Sequence, residues 1–171
     1  STRRRMKAKG VVTGIQPAPG QAGRFIMMKT RSVYALCPKH ITPRQVEIRR
    51  CSRVHVGASL TEGQSQWIAG ADTFFIGTHS REGGADASHR GGPPGFVRVI
   101  DANTIEFPDY SGNNMFNTLG NLELDPRIAL LFIDFDFGKA MTLRGRADVK
   151  WPDGEGARTV AAVIEDVLER F

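Results

Sequence analysis

Alternation of apolar and polar positions is the commonest pattern along the chain, and it predicts strands joined by structured turns. Two such stretches open the sequence, RRMKAKGVVTG at 4–14 and RFIMMKTRSVYA at 24–35. The proline- and glycine-rich residues 16–23 between them predict an antiparallel pair. CPKHITPR at 37–44 carries two prolines that cannot donate to a ladder, so it reads as a loop, and the main boundary is expected near residue 50. Further on, TEGQSQWIAGA at 61–71 reads as a short helix capped by Thr61, and FFIGT at 74–78 as a strand. FVRVI at 96–100 and TIEFP at 104–108 read as a hairpin turning at Asp101, Ala102 and Asn103, followed by strands IALLFIDF at 128–135 and KAMTLRGRADVKW at 139–151.

Three stretches depart from this alternation. SREGGADASHRGGPPG at 80–95 holds five glycines and two prolines and reads as a long loop, functional or disordered. SGNNMFNTLGNLEL at 111–124 reads as a helix with Met115, Leu119 and Leu122 on one face, stopped by Asp125 and Pro126. Near the end, Val160, Val163, Ile164, Val167, Leu168 and Phe171 recur at helical spacing with Glu165, Asp166 and Glu169 largely opposite, which predicts an amphipathic C-terminal helix over 157–171.

Composition adds limits. With 171 residues, 18.8 kDa and 40% hydrophobic residues, the chain has enough material for one real core. The longest apolar stretch, 128–133, is far short of the roughly 18–20 residues that a membrane-spanning helix needs, and nothing near Ser1 resembles a signal peptide; the reading is a soluble, cytoplasmic protein. Two cysteines, Cys37 and Cys51, are too few for a disulfide scaffold and are expected to be free thiols. The net charge of +5 conceals a division: residues 1–50 hold 12 Lys and Arg against Glu47 alone, and residues 51–171 hold 11 basic and 17 acidic side chains. A basic front suggests nucleic acid. Its alternation suggests instead a half-buried strand whose charged face meets the acidic remainder or an anionic cofactor. Phe25 and Tyr34 are its only aromatics, and it carries no helix-turn-helix or RNA-recognition signature, so any nucleic-acid binding is expected to be weak and unspecific.

The signatures GxxxxGK[ST], HExxH and GxSxG are missing, as is a strand-borne GxGxxG, which removes the usual marks of P-loop nucleotidases, zincins, α/β-hydrolases and Rossmann dehydrogenases. Three constellations remain. In the 80–95 stretch, the run from Asp86 to Gly92 sets Ser88, His89 and Arg90 beside Gly91 and Gly92, a hydroxyl, an imidazole and a guanidinium next to approachable backbone amides, suited to a phosphate or another anion, or simply a solvated surface loop. Asn113 stands where a helix N-cap would, and Asn113, Asn117 and Asn121 recur every four residues, an amide stripe suited to the edge of a heterocycle or to hydroxyls, or simply a water-facing helix surface. Cys37, His40, Cys51 and His55 have a spacing that permits tetrahedral zinc, but their cationic surroundings oppose a divalent ion, and no metal is expected.

WIAGADTFFIGT (67–78), GADASHRGGPPGFVRV (84–99), FPDYSGNNMFNTLGNLELDPRIALLFIDF (107–135) and LRGRADVKW (143–151) together resemble the pyridoxamine 5′-phosphate oxidase-like family of FMN-binding split-barrel proteins. The resemblance implies a mainly β, six-stranded Greek-key split β-barrel over 51–156 with a few short helices, preceded by a basic β segment at 1–50 that resembles the end of another barrel. It implies an FMN-dependent oxidoreductase, or a binding module of the same fold holding flavin, deazaflavin or haem. Its partners would be a second copy in a homodimer, a small-molecule electron donor and acceptor, and a reductase module, with neither membrane nor specific nucleic acid. Ser88, His89 and Arg90 would meet the FMN phosphate together with the helix start at Asn113 and Asn114, Thr78, Phe107 and Pro108 would lie near the isoalloxazine or ribityl chain, and Asn117 and Asn121 would be cofactor-binding amides further along that helix. Where the family's vitamin B6 oxidases carry a Ser-Arg-Lys phosphate clamp, this chain carries Gly112, Asn113 and Asn114, a departure that argues against vitamin B6 as the substrate.

Overall fold

A computed structural model describes residues 5–17, 24–36, 54–82, 84–110, 115–152 and 157–170, in two compact units, Ser1–Pro38 and Lys39–Phe171. The first unit is a ribbon of two antiparallel strands, β1 (Arg5–Pro17) and β2 (Arg24–Leu36), in register from Arg5 opposite Leu36 to Pro17 opposite Arg24. Register shifts between Lys9 and Gly10 and between Val12 and Gly14 mark one extra residue on each strand.

Among its described residues, the second unit is an antiparallel sheet of eight strands with two short helices. In chain order these are β3 (Val54–Gly57), α1 (Glu62–Gly70), β4 (Thr73–Ser80), β5 (Gly84–Gly91), β6 (Arg98–Val99), β7 (Thr104–Pro108), α2 (Asn117–Leu124), β8 (Arg127–Asp134), β9 (Lys139–Lys150) and β10 (Thr159–Arg170). The strands lie side by side as β5-β4-β8-β9-β10-β7-β6, and β3 also pairs with β10. The mainly β expectation therefore holds, with six strands of five residues or more and two short ones, β3 and β6, added. Alternation explains most of it: β9 buries Met141, Leu143, Ala147 and Val149 and exposes Arg144, Arg146 and Asp148. The core is built around Phe74, which stacks on Phe132 at 5.2 Å and meets Phe107 edge-on at 4.9 Å. Helix α1 starts as its sequence predicts, with Thr61 and Gln64 in a capping box.

Four expectations need correction. The terminal segment is not an amphipathic helix but β10, paired along its length with β9. Its buried residues run Val160, Ala162, Ile164 and then Val167, because a register shift between Ile164 and Asp166 inserts one residue. The 80–95 stretch is not a loop: Gly84–Gly91 is a full strand in a hairpin with β4, and Gly84, with φ +66°, supplies the left-handed turn. The second helix begins at Asn117, with Phe116 at its N-cap and no capping side chain, so Asn113 is not its cap and Met115 lies before it; Asn113 and Asn114 are outside the described residues. Of FVRVI, only Arg98–Val99 pairs, while Phe96 and Val97 turn into the core.

Candidate functional site

The polar run DASHR becomes legible once β5 is a strand. By the two-residue period, Asp86, Ser88 and Arg90 share one face and Ala87 and His89 the other. Register sets Asp86 opposite Thr78, Ser88 opposite Ile76 and Arg90 opposite Phe74, so this face continues the buried side of β4. Helix α2 packs on β4, β5 and β9 and meets that face with its own polar side chains. Thr118 Oγ1 donates to Asp86 Oδ2 at 3.3 Å and lies 3.0 Å from Ser88 Oγ. One turn on, Asn121 donates from Nδ2 to Thr78 Oγ1 at 3.2 Å and to the Gly84 carbonyl at 3.4 Å, and its Oδ1 accepts from Ser80 Oγ at 2.9 Å. Asp86 is 2% exposed and Asn121 5%, so these bonds form inside the protein, where unmet polar groups are expensive.

Beyond Ser88, Arg90 Nη1 donates to Asp109 Oδ1 at 2.7 Å, and Arg158 Nε donates to Asp109 Oδ2 at 3.0 Å. The Asp109 amide also donates to the Arg158 carbonyl at 2.8 Å, which fixes the two chain segments together. Two guanidiniums on one carboxylate leave one positive charge in excess. Arg90 Nε is buried and meets no hydrogen-bond acceptor among the described residues. The Arg158 guanidinium lies 4.9 Å over the Phe116 ring and 6.0 Å from that of Trp151, both exposed aromatics at the rim of the cluster.

The ten residues singled out by sequence are therefore distributed unevenly. Ser88 and Arg90 share one face, with Thr78 and Asn121 bonded to each other beside it. Asn117 is half-buried in the first turn of α2. His89 sits on the opposite face of β5, its Nε2 2.6 Å from Thr73 Oγ1 and its ring edge-on to Phe75. Phe107 is 2% exposed and its ring belongs to the core, and Pro108, half-buried, pairs with Thr159. Of the zinc set, His55 is exposed on β3, while Cys37, His40 and Cys51 lie outside the described residues. No group of three or more His, Cys, Asp or Glu among the described residues is placed to hold a metal. Sequence reading missed Asp109, Thr118 and Arg158, and it placed Asp86 in the constellation without giving it a role. For Asp86 a signal existed, the Asp-x-Ser-x-Arg alternation, whereas Asp109 and Arg158 are brought together only by the pairing of β7 with β10.

Residues 60–169 match the family model described as pyridoxamine 5′-phosphate oxidase. The chain belongs to that family. Among solved structures, this family member is similar to a candidate pyridoxamine 5′-phosphate oxidase from Lactobacillus delbrueckii, with TM-score 0.52 and 17% identity over 65% of this chain and 94% of the other. It is also similar to a histidine-to-alanine variant of HupZ from Group A Streptococcus, with TM-score 0.50 and 15% identity over 64% of this chain and 98% of the other. At such identities the likeness is one of fold. No curated protein matches the chain by sequence. Among the described residues no helix is long and apolar enough to cross a membrane.

Proposed function

We propose that this chain binds FMN against the β5–α2 face and works as an FMN-dependent oxidoreductase, as a homodimer, passing electrons between a small-molecule donor and acceptor. One observation carries the reading: Arg90 and Arg158 share the Asp109 carboxylate, with a net positive charge and a buried Arg90 Nε–H still without an acceptor among the described residues. A phosphate ester fits that donor set, because guanidinium pairs bind such oxygens through charge-assisted bonds. Bound flavin would supply the redox chemistry. The chain would hold it, with Arg90 and Arg158 on the phosphate and the polar side chains of β5 and α2 along the neutral part of the molecule. Membership of a family described as an oxidase supports this reading. The exposed Tyr110, Met115, Phe116, Leu124 and Trp151 supply apolar surface for a second copy to cover.

An absorption spectrum of the purified chain, followed by titration of the stripped protein with FMN, tests this. Flavin bands and saturable quenching of FMN fluorescence are expected. A Soret band would move the assignment to haem, and FMN fluorescence unaltered at saturating protein would end the flavin reading.

A further inference from the structure

The Thr118 hydroxyl has one proton and two neighbours for it. It lies 3.3 Å from Asp86 Oδ2 and 3.0 Å from Ser88 Oγ. Thr118 Oγ1 is the donor to Asp86 Oδ2, so the Thr118 proton goes to Asp86. Thr118 Oγ1 then faces Ser88 with lone pairs, and the bond between the two hydroxyls requires the proton of Ser88. A serine hydroxyl has no second proton. Towards anything that approaches its half-exposed side, Ser88 therefore offers lone pairs alone.

We propose that Ser88 is a hydrogen-bond acceptor towards the ligand, its polarity set by Asp86 through Thr118, so that the subsite beside it takes a neutral donor, a hydroxyl or an N–H. This departs from the simplest reading of Ser88 and Arg90 as joint holders of one phosphate. A phosphate oxygen drawn to Ser88 would meet lone pairs with the Asp86 carboxylate behind them, two residues along the same strand face. Two residues in the other direction the sign reverses at the Arg90 guanidinium. The face of β5 is thus graded from acceptor at Asp86 and Ser88 to cation at Arg90, matching a ligand with hydroxyls at one end and an anion at the other. The ligand's identity as a flavin rests on the function proposed above, but the polarity of Ser88 does not.

The test compares riboflavin, FMN and inorganic phosphate as probes for the wild-type chain and for Ser88→Ala and Thr118→Val. Ser88→Ala is expected to weaken riboflavin and FMN by the same factor, roughly three- to tenfold for one neutral hydrogen bond, and to leave phosphate binding unchanged. Thr118→Val frees the Ser88 proton and is expected to tighten phosphate binding. Selective loss of FMN and phosphate in Ser88→Ala, with riboflavin spared, overturns the proposal. The 13Cγ resonance of Asp86 in the wild-type protein gives an answer that needs neither variant nor flavin. A carboxylate shift supports the proposal and a carboxylic-acid shift overturns it. A wild-type chain that binds no flavin while Asp86 is ionised would sink the flavin reading and leave the polarity of Ser88 standing.

Discussion

A Cβ on Gly145 would stand 1.9 Å from the carbonyl oxygen of Val163, so β9 and β10 meet here at a separation that admits only hydrogen. The contact adjoins the register shift between Ile164 and Asp166, where β10 bends to take its extra residue. Gly145→Ala should therefore destabilise the sheet by about 1–3 kcal/mol, the usual cost of overfilling a packed position. The corresponding fall in Tm is roughly 2–12 °C for a domain of this size. An unchanged Tm would show that the bulge can slide to admit a methyl group.

Asn121 separates helix propensity from burial. Asn121→Leu improves the intrinsic preference of α2 for a helix, yet it removes the amide that serves Thr78, Ser80 and the Gly84 carbonyl in the interior. Each unmet buried group costs about 1–3 kcal/mol. The expected outcome is a net loss of about 2–4 kcal/mol by urea denaturation, whereas Asn117→Leu, half-buried at the start of the helix, should change stability by less than about 1 kcal/mol. Equal effects in the two variants would refute the assignment of Asn121 as the tie between helix and hairpin.

Arg90 and Arg158 are not equivalent on Asp109. Arg90 carries the buried Nε–H without an acceptor among the described residues, so Arg90→Ala should cost a bound phosphate ester about 1.5–3 kcal/mol, or ten- to a hundredfold in Kd. Arg158 lies against Phe116 and Trp151, and Arg158→Lys should retain charge while losing the stacked geometry, with a smaller effect on Kd. Isothermal titration with FMN distinguishes the two. Unaltered FMN affinity in Arg90→Ala would remove the anion site from this cluster.

Acid sensitivity has a localised source in Glu106. Its carboxyl is hydrogen-bonded by Lys150 from β9 and by Arg98 from β6, and these partners hold it below the ordinary value of 4.5. A carboxyl lowered in the folded state stabilises the fold above its unfolded value and loses that contribution as pH falls through the folded one. Because Arg98 and Lys150 are more than half exposed, the contribution is under about 1 kcal/mol. Melting curves between pH 6 and pH 3 should fall more gently for Glu106→Gln than for the wild-type chain, with the two converging at the acid end.

Sequence period revealed the elements whose inner residues are apolar. In β7 and β9 these alternate with polar ones, β4 and β8 show instead as apolar runs, FFI at 74–76 and IALLFI at 128–133, and α1 is marked by its Thr61 cap. β10 escaped because its bulge changes the spacing of buried residues from two to three at Ile164 and Val167. Val160, Val163, Ile164 and Val167 then match a helical stripe, although Val163 is exposed. β5 escaped for the opposite reason: its inward positions are Asp86, Ser88 and Arg90, so a search for apolar alternation finds nothing there. The site is hidden by the property that makes it a site, since a strand that bonds a polar helix face has exchanged its hydrophobic signature for hydroxyls and charges. Arg158 and Asp109 lie 49 positions apart, and only long-range pairing joins them.

The placement of β10 has a consequence for how the chain is made. This strand lies in the middle of the sheet, paired with β9 throughout, with β7 along Thr159 to Val163 and with β3 along Val167 to Arg170. A ribosome delivers β3 and β7 long before β10, and until Arg170 has left the exit tunnel Val54 has no strand to join. The nascent sheet must wait with open edges, the state most prone to sticking to its neighbours. Once the late strand arrives it closes both sides in a single step.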